Sequence, residues 1–208
     1  MRLTRETVLR AALDLLDEVG IDGLTTRRLA ERLGVQSPTL YWHFKNKRAL
    51  LDAMAHAMLE QHTRCVPEPG EDWRVWLRGN ALSFRRALLS HRDGARVHAG
   101  TGPEPGEYDC AEVQIRHLCE AGFAPGEALS IMIALSRFIV GWVLEEQAEA
   151  KDAAERDAPV PSPSPRKYPL FATALEARRD ETTDAAFEKA IGFFIGGLNP
   201  SDKRAPGP

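Results

Sequence analysis

Between Leu24 and Lys47 the chain gathers side chains suited to gripping a nucleic-acid duplex. Thr26, Arg27 and Arg28 open one short helical stretch, and Ser37, Pro38, Thr39, Tyr41, Trp42 and His43 occupy a second, with Lys47 just beyond it. An arginine fork matches the O6/N7 edge of guanine, a contact worth about 1–3 kcal/mol of discrimination. The apolar edges of Pro38 and Thr39 suit a thymine methyl. Tyr41, Trp42 and His43 can donate to phosphate oxygens through hydroxyl, indole N–H and imidazole. Lys47 adds charge at a helix start, where backbone N–H groups already favour phosphate. An aromatic run alone is more often a packing or interface patch. Its conjunction with a basic flank, a glycine turn and a capped short helix within 24 residues points to DNA.

Holding these groups in a major groove requires a helix-turn-helix. The spacing predicts a first helix over Arg5–Val19, capped by Thr4 and stopped at Gly20, with Val8, Ala11, Ala12, Leu15, Leu16 and Val19 on its core face. A second helix over Thr26–Leu33 is capped by Thr25 and ended by Gly34. A third starts at Pro38, with Ser37 as cap, and runs to about Phe44. Seven residues do not hold a helix alone, so its neighbours must prop it. Asn46 caps a longer helix to about Arg64, whose apolar Leu50, Leu51, Met54 and Met58 join head to body.

Further helices are expected at 73–89, 108–122, 126–147 and 183–198, with an irregular or short-helical segment at 91–107 between the first two. Four prolines with serines mark 148–167 as a flexible loop, and 201–208 as a disordered tail completes the chain. The expected fold is all-α: a helix-turn-helix domain over residues 1–46 and a larger ligand-binding and dimerisation domain over 47–200. The apolar faces of the helices at 126–147 and 183–198 suit a four-helix bundle between two copies, hence a homodimer.

Charge is unevenly spread. The chain carries a net −3, yet residues 1–48 hold nine Lys and Arg against six Asp and Glu, and the remaining 160 hold 18 against 24. A basic head on an acidic body suits a protein that meets phosphate at one end. Cys65, Cys110 and Cys119 are scattered, so neither a zinc site nor a disulfide framework is expected. With no apolar signal region at the N-terminus, the expected location is the cytoplasm. Ala128–Leu144 is nearly all apolar, but Ser130, Ser136 and Arg137 interrupt it, which predicts a buried or interface helix and no membrane span. No nucleophile elbow, phosphate loop or paired carboxylates beside a base suggest an enzyme. A helical module that binds another protein through the head is the remaining class.

On Gly20-Ile-Asp-Gly-Leu-Thr-Thr-Arg-Arg-Leu-Ala, Pro38-Thr-Leu-Tyr-Trp-His and Lys45-Asn-Lys-Arg-Ala-Leu-Leu-Asp-Ala, the chain resembles the TetR family of bacterial transcriptional regulators. The likeness continues through Asn80–Thr101 and Gly141–Gln147, about residues 4–148 in all, and there it narrows to the tetracycline-responsive branch. That resemblance implies a homodimeric repressor that holds a double-stranded palindromic operator and releases it on binding a tetracycline chelated to Mg²⁺. It places the ligand against His62, Asn80, Phe84, Thr101 and Gln114. It makes His98 a metal ligand as well as a ligand contact, and Glu145 a contact to the metal through water from the second subunit.

The residue chemistry agrees with that assignment without requiring it. Mg²⁺ wants six oxygens and keeps its waters, so one imidazole and one carboxylate acting through water suffice if the ligand brings oxygens. Read alone, a histidine such as His98 is more often a loop residue than a metal ligand and Phe84 more often core, while Asn80 and Gln114 fit surface amides and Glu145 a buried helix ending at solvent. The chain also departs from the family's pattern. An ungapped alignment puts Thr63, not His62, at the ligand. Gly102 replaces an arginine, Arg137 a histidine, and Ser37 a glutamine whose bidentate reach to adenine a serine lacks. A repressor of the same architecture answering a different antibiotic or metabolite without metal is the alternative.

Overall fold

The described part of the chain forms ten α-helices and contains no strand. In this computed structural model residues 3–60, 64, 66–102, 108–155 and 162–200 are described, of 153–155 the backbone alone. His62, Thr63 and the tail 201–208 lie outside the described residues. The order is α1 (Arg5–Gly23), α2 (Thr26–Leu33), α3 (Ser37–Leu40), α4 (Lys47–Glu60), α5 (Trp73–Leu89), α6 (Gly94–His98), α7 (Tyr108–Glu120), α8 (Pro125–Glu155), α9 (Pro169–Ala177) and α10 (Thr183–Gly196).

The head assembles as its caps direct. Thr4 Oγ1 accepts from Thr7 N–H, Thr25 Oγ1 from Arg28 N–H, and Asn46 Oδ1 from Ala49 N–H, at 3.2, 3.2 and 2.9 Å. Each cap satisfies one donor that a helix start leaves over. Val8, Ala12, Leu15 and Leu16 of α1 are buried with Leu29, Leu40, Phe44 and the Leu50, Met54 and Met58 face of α4. Gly20 breaks α1 without ending it. Its φ of 70° and ψ of 173° kink the helix, after which Ile21 N–H donates to Asp93 Oδ2 at 2.8 Å.

α3 is shorter than expected. It spans four residues, its N-cap is Gln36 with no side-chain bond, and the chain from Tyr41 to His43 continues in i→i−3 turns. The aromatic residues after Leu40 are poorer helix formers, and tight turns are how such a helix end relaxes. The buried Leu40 and Phe44 bracket this segment and prop it on the head core.

In the body, α8 places Ala128, Ile131, Leu135, Ile139 and Val143 at three- and four-residue spacing into a core shared with α5 and α10. Its length and hydropathy would by themselves allow a membrane crossing, but this stripe packs inside the protein. α8 runs to Glu155, beyond the expected end at 147, because Ala148 to Glu155 combines alanines with charged residues of high helix propensity. The expected loop is shortened accordingly. α9 was not expected at all: it is nine residues long with no buried side chain, so no core pattern announces it. Cys110 is disulfide-bonded, which the scattered cysteines did not predict, and Cys119 is free.

Three body helices meet on one buried cation. Arg85, 5% exposed, forks onto Glu146 of α8 at 2.9 and 2.7 Å and donates to Asp184 of α10 at 2.7 Å. Its guanidinium also lies over the Phe187 ring, 5.0 Å from the centroid. Burial opposes the charge, but the bonds to Glu146 and Asp184 outweigh it and hold the pKa above the ordinary arginine value. Truncation at Arg85 would strand the Glu146 carboxylate. Arg85→Ala is expected to cost about 3 kcal/mol, read as a lowered denaturant midpoint with unchanged slope. A Cβ at Gly20 would lie 2.8 Å from Asp93 Oδ2 in a backbone region that side chains avoid. Gly20→Ala is expected to destabilise by about 1–3 kcal/mol and lower the thermal midpoint; an unchanged midpoint would show the kink to be dispensable.

Candidate nucleic-acid interface and ligand pocket

Anchored by Leu40 and Phe44, the α3 segment presents Pro38, Tyr41 and Trp42 to solvent, while Ser37, Thr39 and His43 are half-buried. Trp42 is 88% exposed, an arrangement that a monomer's packing does not explain. Thr26 is half-buried at the start of α2. Arg27 stands in solvent and its Nε meets Glu31 Oε1 at 3.0 Å, a surface pair weak enough to exchange for phosphate or a base edge. Arg28 is engaged within the head instead, where its Nη1 donates to the Gly23 carbonyl at 3.2 Å and fastens the turn between α1 and α2. Lys47 is exposed at the first position of α4. The head thus exposes Arg27, Pro38, Tyr41, Trp42 and Lys47, the mixture of cation and polar-tipped aromatic that a duplex backbone takes up.

Of the residues suggested for a ligand, Phe84, His98 and Thr101 form one cluster. The Phe84 and His98 rings meet edge-to-face at 5.1 Å and 79°. Thr101 Oγ1 donates to the His98 carbonyl at 2.8 Å and lies 3.2 Å from His98 Nδ1. A hydroxyl has one proton; with it on the carbonyl, the oxygen accepts from Nδ1–H. That tautomer puts the imidazole lone pair on Nε2, the form that binds a metal. Asn80, one turn before Phe84, is 7% exposed, so it is no surface amide; its Nδ2 donates to the Arg64 carbonyl at 2.9 Å. Arg64 is braced in turn by Glu71 at 2.9 Å.

No described hydrogen bond or ring contact ties Gln114 or Glu145 to that cluster. Gln114 Nε2 bonds within α7 to Cys110 Sγ at 3.3 Å, and Glu145 is exposed on α8. Arg137 is also exposed. His62 cannot be placed against them, since it lies outside the described residues. Among the described residues no three His, Cys, Asp or Glu side chains come together as a metal cage. A single imidazole suits Mg²⁺ only if the ion arrives with most of its oxygens, as a chelated ligand provides. Two surface clefts, of about 310 and 400 Å³, lie elsewhere: beside Arg85 and Asp184, and between the start of α8 and the end of α10.

The cluster is wired to the head. His98 ends α6, whose Val97 is buried in the head core and whose Ala95 is buried in the body core. Around α6 the contacts are polar. His91 Nδ1 and Arg92 N–H both reach the Asp17 carboxylate at 2.8 Å, and Arg96 forks onto Asp22 at 2.9 and 2.9 Å. The Arg96 hydrogen bond holds the Asp22 carboxyl below its ordinary range, and the same bond raises Arg96. Local pattern reading missed Asp17, Asp22, Asp93 and Arg96, because their partners lie some seventy residues away in sequence.

Comparison with known proteins places both halves of the chain. Residues 8–54 match the model of bacterial regulatory proteins of the tetR family, and residues 66–201 match the tetracyclin repressor-like C-terminal domain. The chain is 56% identical over 198 residues to the class A tetracycline repressor protein from transposon 1721 of Escherichia coli, covering 95% of this chain and 91% of that one. It is 54% identical over 199 residues to the class C tetracycline repressor protein of Escherichia coli, with the same two coverages, 95% and 91%. A solved structure of class A TetR in complex with 5a,6-anhydrotetracycline and magnesium is similar with a TM-score of 0.74 and 48% identity, over 94% of this chain and 97% of that one. With a head, a connecting α6 and a body that all match, the chain belongs to the TetR family of bacterial regulatory proteins and is a regulator, not an enzyme.

Proposed function

We propose that this chain is a transcriptional repressor that binds a palindromic operator as a homodimer and releases it when a tetracycline–Mg²⁺ complex binds in the body. The observation that carries the reading is α6, which bears His98 and is packed simultaneously into the head and body cores. A ligand that shifts α6 necessarily loads the head.

On the DNA side, Thr26, Arg27, Ser37, Pro38, Thr39, Tyr41, Trp42, His43 and Lys47 form the contact face. Its exposed members are free to meet phosphate and groove edges, while Leu40 and Phe44 hold the segment rigid. Two copies related by a twofold axis would set their α3 segments about 34 Å apart, one turn of the duplex. Apolar side chains left exposed in one chain support the dimer: Leu129 and Ile133 on α8, Leu170 and Phe171 on α9, and Phe193 on α10. Regulators that bind bacterial operators work in the cytoplasm.

On the effector side, His62, Asn80, Phe84, His98, Thr101 and Gln114 contact the ligand. Phe84 supplies an apolar wall, and Asn80, with its amide N–H pinned on Arg64, offers its oxygen as acceptor. Bound Mg²⁺ would supply a positive centre between the ligand oxygens and the protein. His98 Nε2, oriented by Thr101, is the group to meet it, with the partner subunit's Glu145 acting through water. Reversing operator occupancy from mostly bound to mostly free takes about 5.5 kcal/mol of differential affinity, within reach of a charged chelate held by both subunits.

The direct test is release of an inverted-repeat operator from the purified dimer on titration with tetracycline at varied Mg²⁺. Release that needs Mg²⁺ is expected; equal release in EDTA sinks the metal reading, and no release with any tetracycline passes the site to another effector. His98→Ala is expected to weaken Mg²⁺-dependent induction at least ~10-fold while gel-shift affinity for operator holds. Lys47→Ala should weaken operator binding across sequences alike and reduce the salt slope of log K by about 1, measured by anisotropy between low and moderate salt.

A further inference from the structure

The carbonyl that closes α6 is held from α4. Ala99 follows His98 as the C-cap of α6, and its ψ of 124° takes the backbone out of the helix. No described backbone N–H donates to the Ala99 carbonyl, but Arg48 Nη1 does, at 3.5 Å. Gly100 gives the guanidinium its place. A Cβ there would lie 3.6 Å from Nη1 and 3.7 Å from Nη2, so both nitrogens sit over the Ala99–Gly100 corner. Arg48 Nε meets Asp52 Oδ1, one turn along α4, at 2.8 Å, which aims the fork at α6. A basic side chain is a suitable donor for the last carbonyls of a helix.

Arg48 thereby touches both ends of the proposed mechanism. Its acceptor lies between His98 and Thr101, whose mutual contact orients the metal-binding nitrogen. Its neighbour in sequence is Lys47, exposed at the first position of α4. The apolar contact of α4 with α6, through Val97 in the head core, is fixed by burial. The Arg48 bond is different: it is polar, exposed and at the long end of hydrogen-bond distance, so giving it up costs little.

This inference rests on the effector-binding reading given above. We infer that Arg48 is a positioning residue that favours the operator-binding arrangement by holding the Ala99 carbonyl, and that effector binding at His98 gives this bond up. The sign of its effect follows from linkage. A contact present only in the effector-free arrangement depletes the arrangement that the effector binds, and weakens effector binding accordingly. Removing the contact makes the repressor answer to less ligand. A residue that only stabilised the fold, or only met phosphate, would not have that effect.

The test measures tetracycline binding to the full-length dimer by fluorescence, in excess Mg²⁺ and without DNA, and operator binding by anisotropy without tetracycline. Arg48→Met removes the donors and keeps a long side chain. It is expected to bind tetracycline about three- to tenfold more tightly, and to release operator at correspondingly lower tetracycline. Arg48→Lys keeps the charge but lacks the fork that reaches Asp52 and Ala99 together. It should shift tetracycline binding in the same direction, with operator affinity and its salt dependence as in the unaltered protein. With ¹³C-carbonyl alanine and ¹⁵N-glycine labels, the Ala99 carbonyl resonance of the unaltered protein should move upfield on adding tetracycline and Mg²⁺, as a carbonyl does on losing its donor. That signal decides the matter even where a variant fails to fold. Tetracycline binding that is unchanged or weaker in Arg48→Met, or an Ala99 carbonyl that stays put or moves downfield, would overturn the inference. A smaller salt slope for operator in Arg48→Met without any gain for tetracycline also overturns it, and makes Arg48 a phosphate contact. Failure of the unaltered protein to bind tetracycline is a separate result: it removes the tetracycline reading itself, and this inference with it.

Discussion

Five residues, Gly94–His98, carry the connection on which the remaining architecture depends. α6 is too short to stand alone, yet it is buried at both ends of its allegiance: Val97 in the head core, Ala95 in the body core. Gly94 lets its backbone press against Leu88, where a Cβ would overlap the carbonyl of that residue. The result is a strut with no slack. Close-packed interiors pass displacement on because they have no spare volume to absorb it. Head orientation is therefore tied to whatever α6 does at its His98 end.

The polar ring around α6 sharpens that tie. Asp17, Asp22 and Asp93 meet His91, Arg92, Arg96 and the Ile21 N–H across the seam between α1 and the α5–α6 corner. Exposed pairs of this kind add little stability singly, but each has a preferred geometry, so together they favour one docking angle over its neighbours. Apolar packing alone would hold the head against the body at a range of angles. In the proposed repressor that angle is the quantity DNA reads, since it sets the spacing between two α3 segments.

Within the body, Arg85 performs a comparable service. It follows Phe84 in sequence and bonds Glu146, which follows Glu145, so the two residues proposed for the effector site on α5 and α8 are fastened through their neighbours. Asp184 brings α10 to the same cation. A buried guanidinium is a poor way to gain stability and a good way to fix a register, because its fork accepts few arrangements.

Much of the head was legible because its rules are local. Thr4, Thr25 and Asn46 cap where a polar side chain precedes an apolar period, Gly34 closes α2, and Val8, Ala12, Leu15 and Leu16 repeat at the helical interval. The long apolar stripe of α8 was equally plain. What escaped were features whose cause lies far along the chain or in another copy. α3 stops at Leu40 because the head core seizes Leu40 and Phe44 and lets the aromatic residues between them relax into turns. α9 buries no side chain among the described residues, so no burial period marks it.

The site divides the same way. Residue types and a family likeness were enough to nominate Asn80, Phe84, His98 and Thr101, since those rest on side-chain chemistry and motif. Only the tertiary structure separated Arg27, open to solvent, from Arg28, spent on the Gly23 carbonyl, and only it showed which nitrogen of His98 the Thr101 hydroxyl occupies. The sequence by itself determined the helices, their caps and the chemical inventory, because hydrogen bonding and periodicity act over a few residues. Tertiary structure alone decided the α6 strut and the Arg85 junction. Those contacts join segments up to about a hundred residues apart, a distance over which no local pattern carries information.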